Sequence, residues 1–242
     1  MNIFPKEYIE LQFIFANKVV EILGISFLSA LFDYTSMPVR VGVPFSDMKP
    51  SNVNWIKFIN TISTNKDIDI AYEYYVLVEK DNKEIREQHG FCSYDFFKSE
   101  YLVNLHFKNN ENPEPGLLSD ERMPIRLKEL KEMFSLIKIE YPDAKEVMSS
   151  SWLFNIPKFN KLFPLEFFDN TSIKWDFHSL GIWGQFIDKY GNIKEKWYNE
   201  FVEKINKAKS LDDLKEAFSL KCIKCWSEIK FFYDLYGIKN GK

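Results

Sequence analysis

Twenty-three phenylalanines among 242 residues constrain this chain more than any other feature, because rings of that size must leave water and pack on one another in a core. Twelve tyrosines and six tryptophans add to them. A chain of this length typically buries roughly 70 to 75% of its unfolded surface, so the rings can be covered without a disulfide framework or a structural metal. The three cysteines, Cys92, Cys222 and Cys225, form an odd set without framework spacing, which fits a reducing compartment, the cytoplasm, better than secretion. Cys222-Ile223-Lys224-Cys225 has the spacing of half a zinc site, but a structural site needs four ligands and no second pair follows. No metal is expected, and the two cysteines read as core or surface positions of a C-terminal helix.

Thirty-two basic residues against thirty-five acidic ones leave a formal charge of -3. That balance creates no broad attractive field for phosphate backbones, so nucleic acid is not an expected partner. Met1 to Gly24 carries Glu7, Glu10 and Glu21 and lacks a basic leading region, which makes it a helix rather than a signal peptide. No apolar run approaches the roughly 20 residues that span a bilayer, so a membrane is not expected either.

Apolar Tyr8, Leu11, Phe15, Val19 and Ile22 recur every three or four residues between Pro5 and Gly24, the pattern of an amphipathic helix with a glycine stop. Ser26 can cap a short helix through Phe32, and Ser51 one carrying Trp55, Phe58, Ile59 and Ile62. Pro38 to Val43 reads as a strand. The β-branched and aromatic run Ile70 to Val78, then Glu84 to Tyr94 and Tyr101 to Phe107, read as a three-stranded antiparallel meander. A long helix follows, with Ile125, Leu127, Leu130, Phe134 and Ile137 along one side and Pro124 in its first turn. Glu146 to Phe154 reads as a strand, Pro157 to Phe163 as a short helix, and Ser172 to His178 with Trp183 to Asp188 as a closing strand pair. Three helices then run to about Gly237. The sum is one α+β domain with a mixed, mostly antiparallel sheet flanked by helices, a core over about 38–190 and a helical extension over about 193–238.

The order strand, helix, three strands, long helix, strand, short helix, two strands resembles the GCN5-related N-acetyltransferase (GNAT) fold. The likeness is carried by Tyr101 to Phe107, the long helix from Ser119, and Ser150-Ser151-Trp152-Leu153-Phe154-Asn155 with Phe159 to Phe163 after it. The chain is also similar to a group of bacterial proteins that share patterns like Ser151 to Asn155 and Trp183 to Asp188 and bring no assigned activity. The GNAT resemblance implies an acyl-CoA cofactor, entering where two neighbouring parallel strands splay apart, and a small amine as acceptor. It also implies a pyrophosphate site at the start of the long helix, in Pro115 to Pro124, where Ser119 and Arg122 stand with a single glycine, Gly116, and Arg126 follows two residues on. Asn155 falls where the family commonly has an asparagine, and Trp152, Trp183 and Gln185 border the implied cleft.

The residues add a constellation of their own. A turn centred between Phe97 and Lys98 pairs His89 with His106 and Cys92 with Val103. Period-two alternation then puts Cys92, Tyr94, Val103, Leu105 and Phe107 on one face, and His89, Ser93, Asn104 and His106 on the other. That second face is either a polar surface or the lining of a pocket in which His106 or His89 serves as general base. Asp176 and His178 share a face of their strand, as a surface pair or as a base with its orienting carboxylate. Three functions follow: an acyl-CoA-dependent N-acyltransferase with His106 as base and a backbone amide near Trp152 for the oxyanion; a non-catalytic ligand- or protein-binding domain of the same shape; or an interaction protein, a homodimer through C-terminal helices carrying Trp197, Trp226, Phe231, Phe232 and Tyr233.

Overall fold

A computed structural model describes residues 3–62, 67–81, 87–108 and 114–239. They divide into two compact units, Met1–Glu84 with Trp175–Leu220, and Ile85–Lys174 with Lys221–Lys242. The chain begins in the helical unit with α1 (Lys6–Leu23), α2 (Phe27–Asp33), α3 (Met37–Arg40), α4 (Val53–Ile62) and α5 (Ile68–Asp81). It then builds the sheet unit with β1 (Cys92–Phe97), β2 (Leu102–Phe107), α6 (Met123–Glu140), β3 (Glu146–Ser151), α7 (Pro157–Asn160) and β4 (Thr171–Ile173). It returns to the helical unit for α8 (Leu180–Trp183), α9 (Glu195–Lys207) and α10 (Leu211–Ala217), and finishes the sheet unit with β5 (Ile223–Glu228) and α11 (Ile229–Leu235). The fold class is α+β, as the periodicities predict.

In the helical unit α1 buries Tyr8, Leu11, Phe15 and Val19 and stops at Gly24, whose φ of 68° and N–H bond to the Val20 carbonyl form a left-handed cap. Phe15 is the hub of its core, with ring centroids of Phe177, Trp183, Phe201 and Phe218 all 5.4 to 6.1 Å away. Ser26 caps α2 through the Ser29 N–H. At α4 the side chain accepting a backbone N–H is that of Asn52, from Asn54 at 2.9 Å, rather than Ser51.

Two expected strands are helices. Pro38 lies inside the first turn of α3, where its fixed φ suits a helix and its missing N–H costs nothing. Ile70 to Val78 belongs to α5: the Asp67 carboxylate accepts the Asp69 and Ile70 N–H groups, Ala71 and Tyr75 bury one helical face, and the Tyr75 hydroxyl accepts from the Phe4 N–H. Caps and burial on a 3.6-residue period outweigh a β propensity worth about 1 kcal/mol at most. Trp183 to Asp188 is the end of α8 and a 3-10 turn rather than a strand. Ser179 caps the Gly181 N–H there, and the Trp183 indole donates to the Phe177 carbonyl.

α10 opens with a capping box in which the Ser210 hydroxyl takes the Asp213 N–H and the Asp213 carboxylate takes the Ser210 N–H. Ser210→Ala is expected to cost about 1 kcal/mol in a urea titration. The Lys209 N–H, and after it the Ser210 side chain, hold the Asp213 carboxyl below its ordinary value. Its contribution is therefore full above the unfolded value and disappears as the pH falls through the lowered one, so the wild-type advantage over Ser210→Ala narrows in acid.

The sheet unit has the order β1-β2-β3-β5-β4. The β2–β3 pair is parallel, and β1–β2, β3–β5 and β4–β5 are antiparallel, which matches the expected mixed, mostly antiparallel sheet. The expected meander shortens to the β1–β2 hairpin, since Ile70 to Val78 is helical; residues 84–86 of the expected strand Glu84 to Tyr94 lie outside the described residues. β5 corrects a second reading. Cys225 lies in a strand inserted between β3 and β4, with Cys225 and Ser227 buried on alternate positions, and Cys222 immediately precedes it; the segment is not a helix. The expected strand Ser172 to His178 contracts to β4, ending at Ile173. One face of the sheet packs Cys92, Val103, Leu105, Val147 and Cys225 against Leu130, Met133, Phe134 and Ile137 of α6 and Phe232 of α11. Phe232 stacks on Phe134 at 4.7 Å, so it serves the core rather than an outer surface. Among the described residues no single helix is long and apolar enough to cross a membrane.

Candidate functional site on the polar face of the sheet

Cys92 pairs with Phe107, Ser93 with His106 and Asp95 with Asn104. The expected pairing is corrected by four residues, Cys92 facing Phe107 in place of Val103, because β1 continues through Phe97 and the reversal occupies Lys98 to Tyr101, where Tyr101 has φ 53°. A shift by an even number leaves every side chain on its face. Cys92, Tyr94, Val103, Leu105 and Phe107 therefore do face the core, and Ser93, Asn104 and His106 do lie opposite, joined by Asp95.

His106 gains a different partner from the one expected. Its Nε2 lies 2.8 Å from Asp95 Oδ2 and 3.3 Å from Asn104 Nδ2. A carboxylate only accepts, so in the neutral ring Nε2 carries the proton and Nδ1 is the basic nitrogen. His89 stands outside β1, in a local bridge with Cys92, and stacks on Tyr94 at 5.8 Å. It thus belongs to the side of the core and does not meet His106; its Nε2 is buried without a hydrogen bond.

The β2–β3 ladder runs from Leu102↔Glu146 to Leu105↔Ser149, and each strand continues two residues beyond it. His106 is the first residue of β2 past the last pair. On the core side the Ser149 hydroxyl donates to the Leu105 carbonyl at 3.0 Å, and Phe107 packs on Phe154, Phe159 and Phe163 with centroids 5.0 to 5.8 Å apart. On the polar face the two strands carry Asn104, His106, Met148 and Ser150, and β5 adds Lys224 and Trp226 by its pairings Met148↔Trp226 and Ser150↔Lys224.

The residues expected at a phosphate site are distributed unevenly. Ser119 precedes α6 with its hydroxyl buried and unbonded, and Arg122 donates to the Glu114 carbonyl at 3.1 Å. Arg126 turns inward, fully buried, onto Glu129 at 2.6 Å and over the Phe91 ring at 5.3 Å. Asn155 ties the Trp152 and Lys221 carbonyls together at 2.7 and 2.8 Å. Ser151 accepts from the Leu153 N–H and so caps the turn that begins at Trp152. Trp183 and Gln185 belong to the helical unit, where Gln185 is buried and bonds both the N–H and the carbonyl of Leu220.

His178 does stand beside Asp176, with Nδ1 3.8 Å from its carboxylate, and is anchored from the other side of the ring. Its Nε2 faces the Phe32 carbonyl at 2.8 Å, so that nitrogen must donate and the ring holds a loop onto α2. Burial pushes the Cys225 thiol up to about 12, which keeps it protonated and a poor nucleophile. Among the described residues no group of His, Cys, Asp or Glu is placed to hold a metal ion. Sequence reasoning missed Asp95, Ser150, Lys224 and Trp226. Asp95 was within reach of the correct hairpin register, whereas the last three require knowing that β5 lies beside β3. Comparison with protein-family models, curated proteins and solved structures finds no match.

Proposed function

We propose that the sheet unit is a GNAT-like domain working as an N-acyltransferase, with a small amine as acceptor and an acyl-CoA as donor. The observation that carries this reading is the position of His106, oriented by Asp95, one residue past the last rung of a parallel β2–β3 pair. The strand order around that pair supports it: an antiparallel neighbour on one side, and on the other a late strand inserted between β3 and β4. In the reaction the amine nitrogen attacks the thioester carbonyl, the C–N bond forms, and the C–S bond breaks. The proton leaving the nitrogen passes to Nδ1 of His106 and ends on the departing thiolate. The Asp95 carboxylate stabilises the imidazolium in between.

A second reading, a non-catalytic binding domain, is favoured by the inward turn of Arg126 and by the Phe107 ring cluster beneath the end of the ladder. The two separate in a thermal-shift titration. The transferase reading expects CoA and acetyl-CoA to stabilise the protein, by about 2.7 kcal/mol at 100 times the dissociation constant. An unmoved melting midpoint at millimolar CoA removes it.

A further inference from the structure

We propose that the acceptor is an α-amino acid with an apolar side chain, its carboxylate held by Lys224; this rests on the transferase reading above. Register sets the arrangement. Ser93 pairs with His106, Ser150 with Lys224, and the β2–β3 rung before them is Leu105↔Ser149. His106, Ser150 and Lys224 therefore form one row across β2, β3 and β5 on the same face. Paired strands are spaced about 4.8 Å apart, so the backbones of His106 and Lys224, one residue past the last β2–β3 rung, stand at least about 10 Å from each other. Asp95 holds the His106 ring from the β1 side, so it is the long Lys224 side chain that must reach across Ser150 for the two to hold opposite ends of a small molecule.

Lys224 is half-buried and makes no ion pair among the described residues; its ammonium lies 5.6 Å from the Trp226 ring centroid. Lys230, by contrast, faces Glu228 at 2.7 Å, whereas Lys224 shares its place beside a ring with Lys138, Lys145 and Lys194 and differs from them in standing in the row of Ser150. A ligand carboxylate supplies the missing counter-charge. The next row, Met148↔Trp226, is an apolar thioether and an indole, a wall for an apolar or aromatic side chain. With the carboxylate at Lys224 and the side chain on that wall, the α-amine is left facing His106, which takes the proton as the C–N bond forms and the acyl–sulfur bond breaks.

The test is CoA release from acetyl-CoA, followed with a thiol reagent, using phenylalanine and its decarboxylated counterpart phenethylamine. The wild type is expected to show a KM for phenylalanine about 10-fold or more below that for phenethylamine, the scale of one charge-assisted hydrogen bond. Lys224→Met is expected to raise the phenylalanine KM by a similar factor and the phenethylamine KM by much less, with an unmoved melting midpoint and a retained CoA-induced thermal shift reporting that the variant is folded. Equal wild-type KM values for the two amines, or an equal loss on both in the variant, would overturn the amino-acid assignment and spare the transferase reading. No CoA release with any amine removes that reading, and this inference with it.

Discussion

Gly90→Ala is expected to destabilise the sheet unit by about 4 kcal/mol, a loss out of proportion to one methyl group. Gly90 has φ 62°, a left-handed conformation that costs an L side chain about 1 kcal/mol. The larger part comes from what the methyl would meet. A Cβ built on Gly90 overlaps the Glu129 carboxylate, the end of a flexible chain that would ordinarily swing aside. Here it is engaged with Arg126, whose side chain is 1% exposed against 16% for Glu129. Pushing the carboxylate away strips a buried guanidinium of this partner, and breaking a buried pair costs about 3 to 5 kcal/mol. A double-mutant cycle isolates the cause. In a Glu129→Ala background the same glycine change should cost only the conformational part, so the two substitutions should be strongly non-additive in urea denaturation. A Gly90→Ala protein within 1 kcal/mol of wild type would mean that Glu129 moves freely and the buried pair contributes little.

His106→Ala is expected to lower kcat for acyl transfer by about 10² to 10⁴, the usual contribution of a positioned general base, with the CoA-induced thermal shift retained. The split matters. His106 is half-buried on the polar face, its Nε2–H donating to Asp95, so a structural role would appear as lost stability and lost ligand binding together. Asp95→Asn offers a finer probe, because an amide can donate to the imidazole and so favour the other tautomer. If Nδ1 is the working nitrogen, that variant should lose most of its turnover while keeping its fold. Unchanged kcat in both variants would leave the dyad a feature of the sheet surface and remove His106 as the general base.

The helices α1 and α6 and the strand β2 are legible in the sequence because each carries its own instruction. In α1 an apolar stripe of 3.6 period runs into Gly24; in α6 Pro124 marks the first turn; β2 is a short alternating run. The two faces of the hairpin were legible too, since alternation survives an even shift of register, although the partner of His106 did not survive it. Ile70 to Val78 shows the limit of local preference. Its β-branched and aromatic residues favour a strand, but Asp67 caps its N–H groups locally and Tyr75 bonds the Phe4 N–H, a contact that exists only once the unit has packed.

β5 marks the same limit for the site. Its edges are completed by β3 and β4, strands that lie about 77 and 52 residues earlier in the chain, and six residues of weak alternation do not announce such partners. The sequence alone determined that the rings must be buried, where several helices begin and end, and that His106 shares a face with Asn104. Only the tertiary structure decided that Asp95 orients that histidine and that Lys224 and Trp226 stand in the neighbouring rows. Side-chain periodicity is written into consecutive residues, whereas the order of strands in a sheet is set by which distant segments can bury one common face.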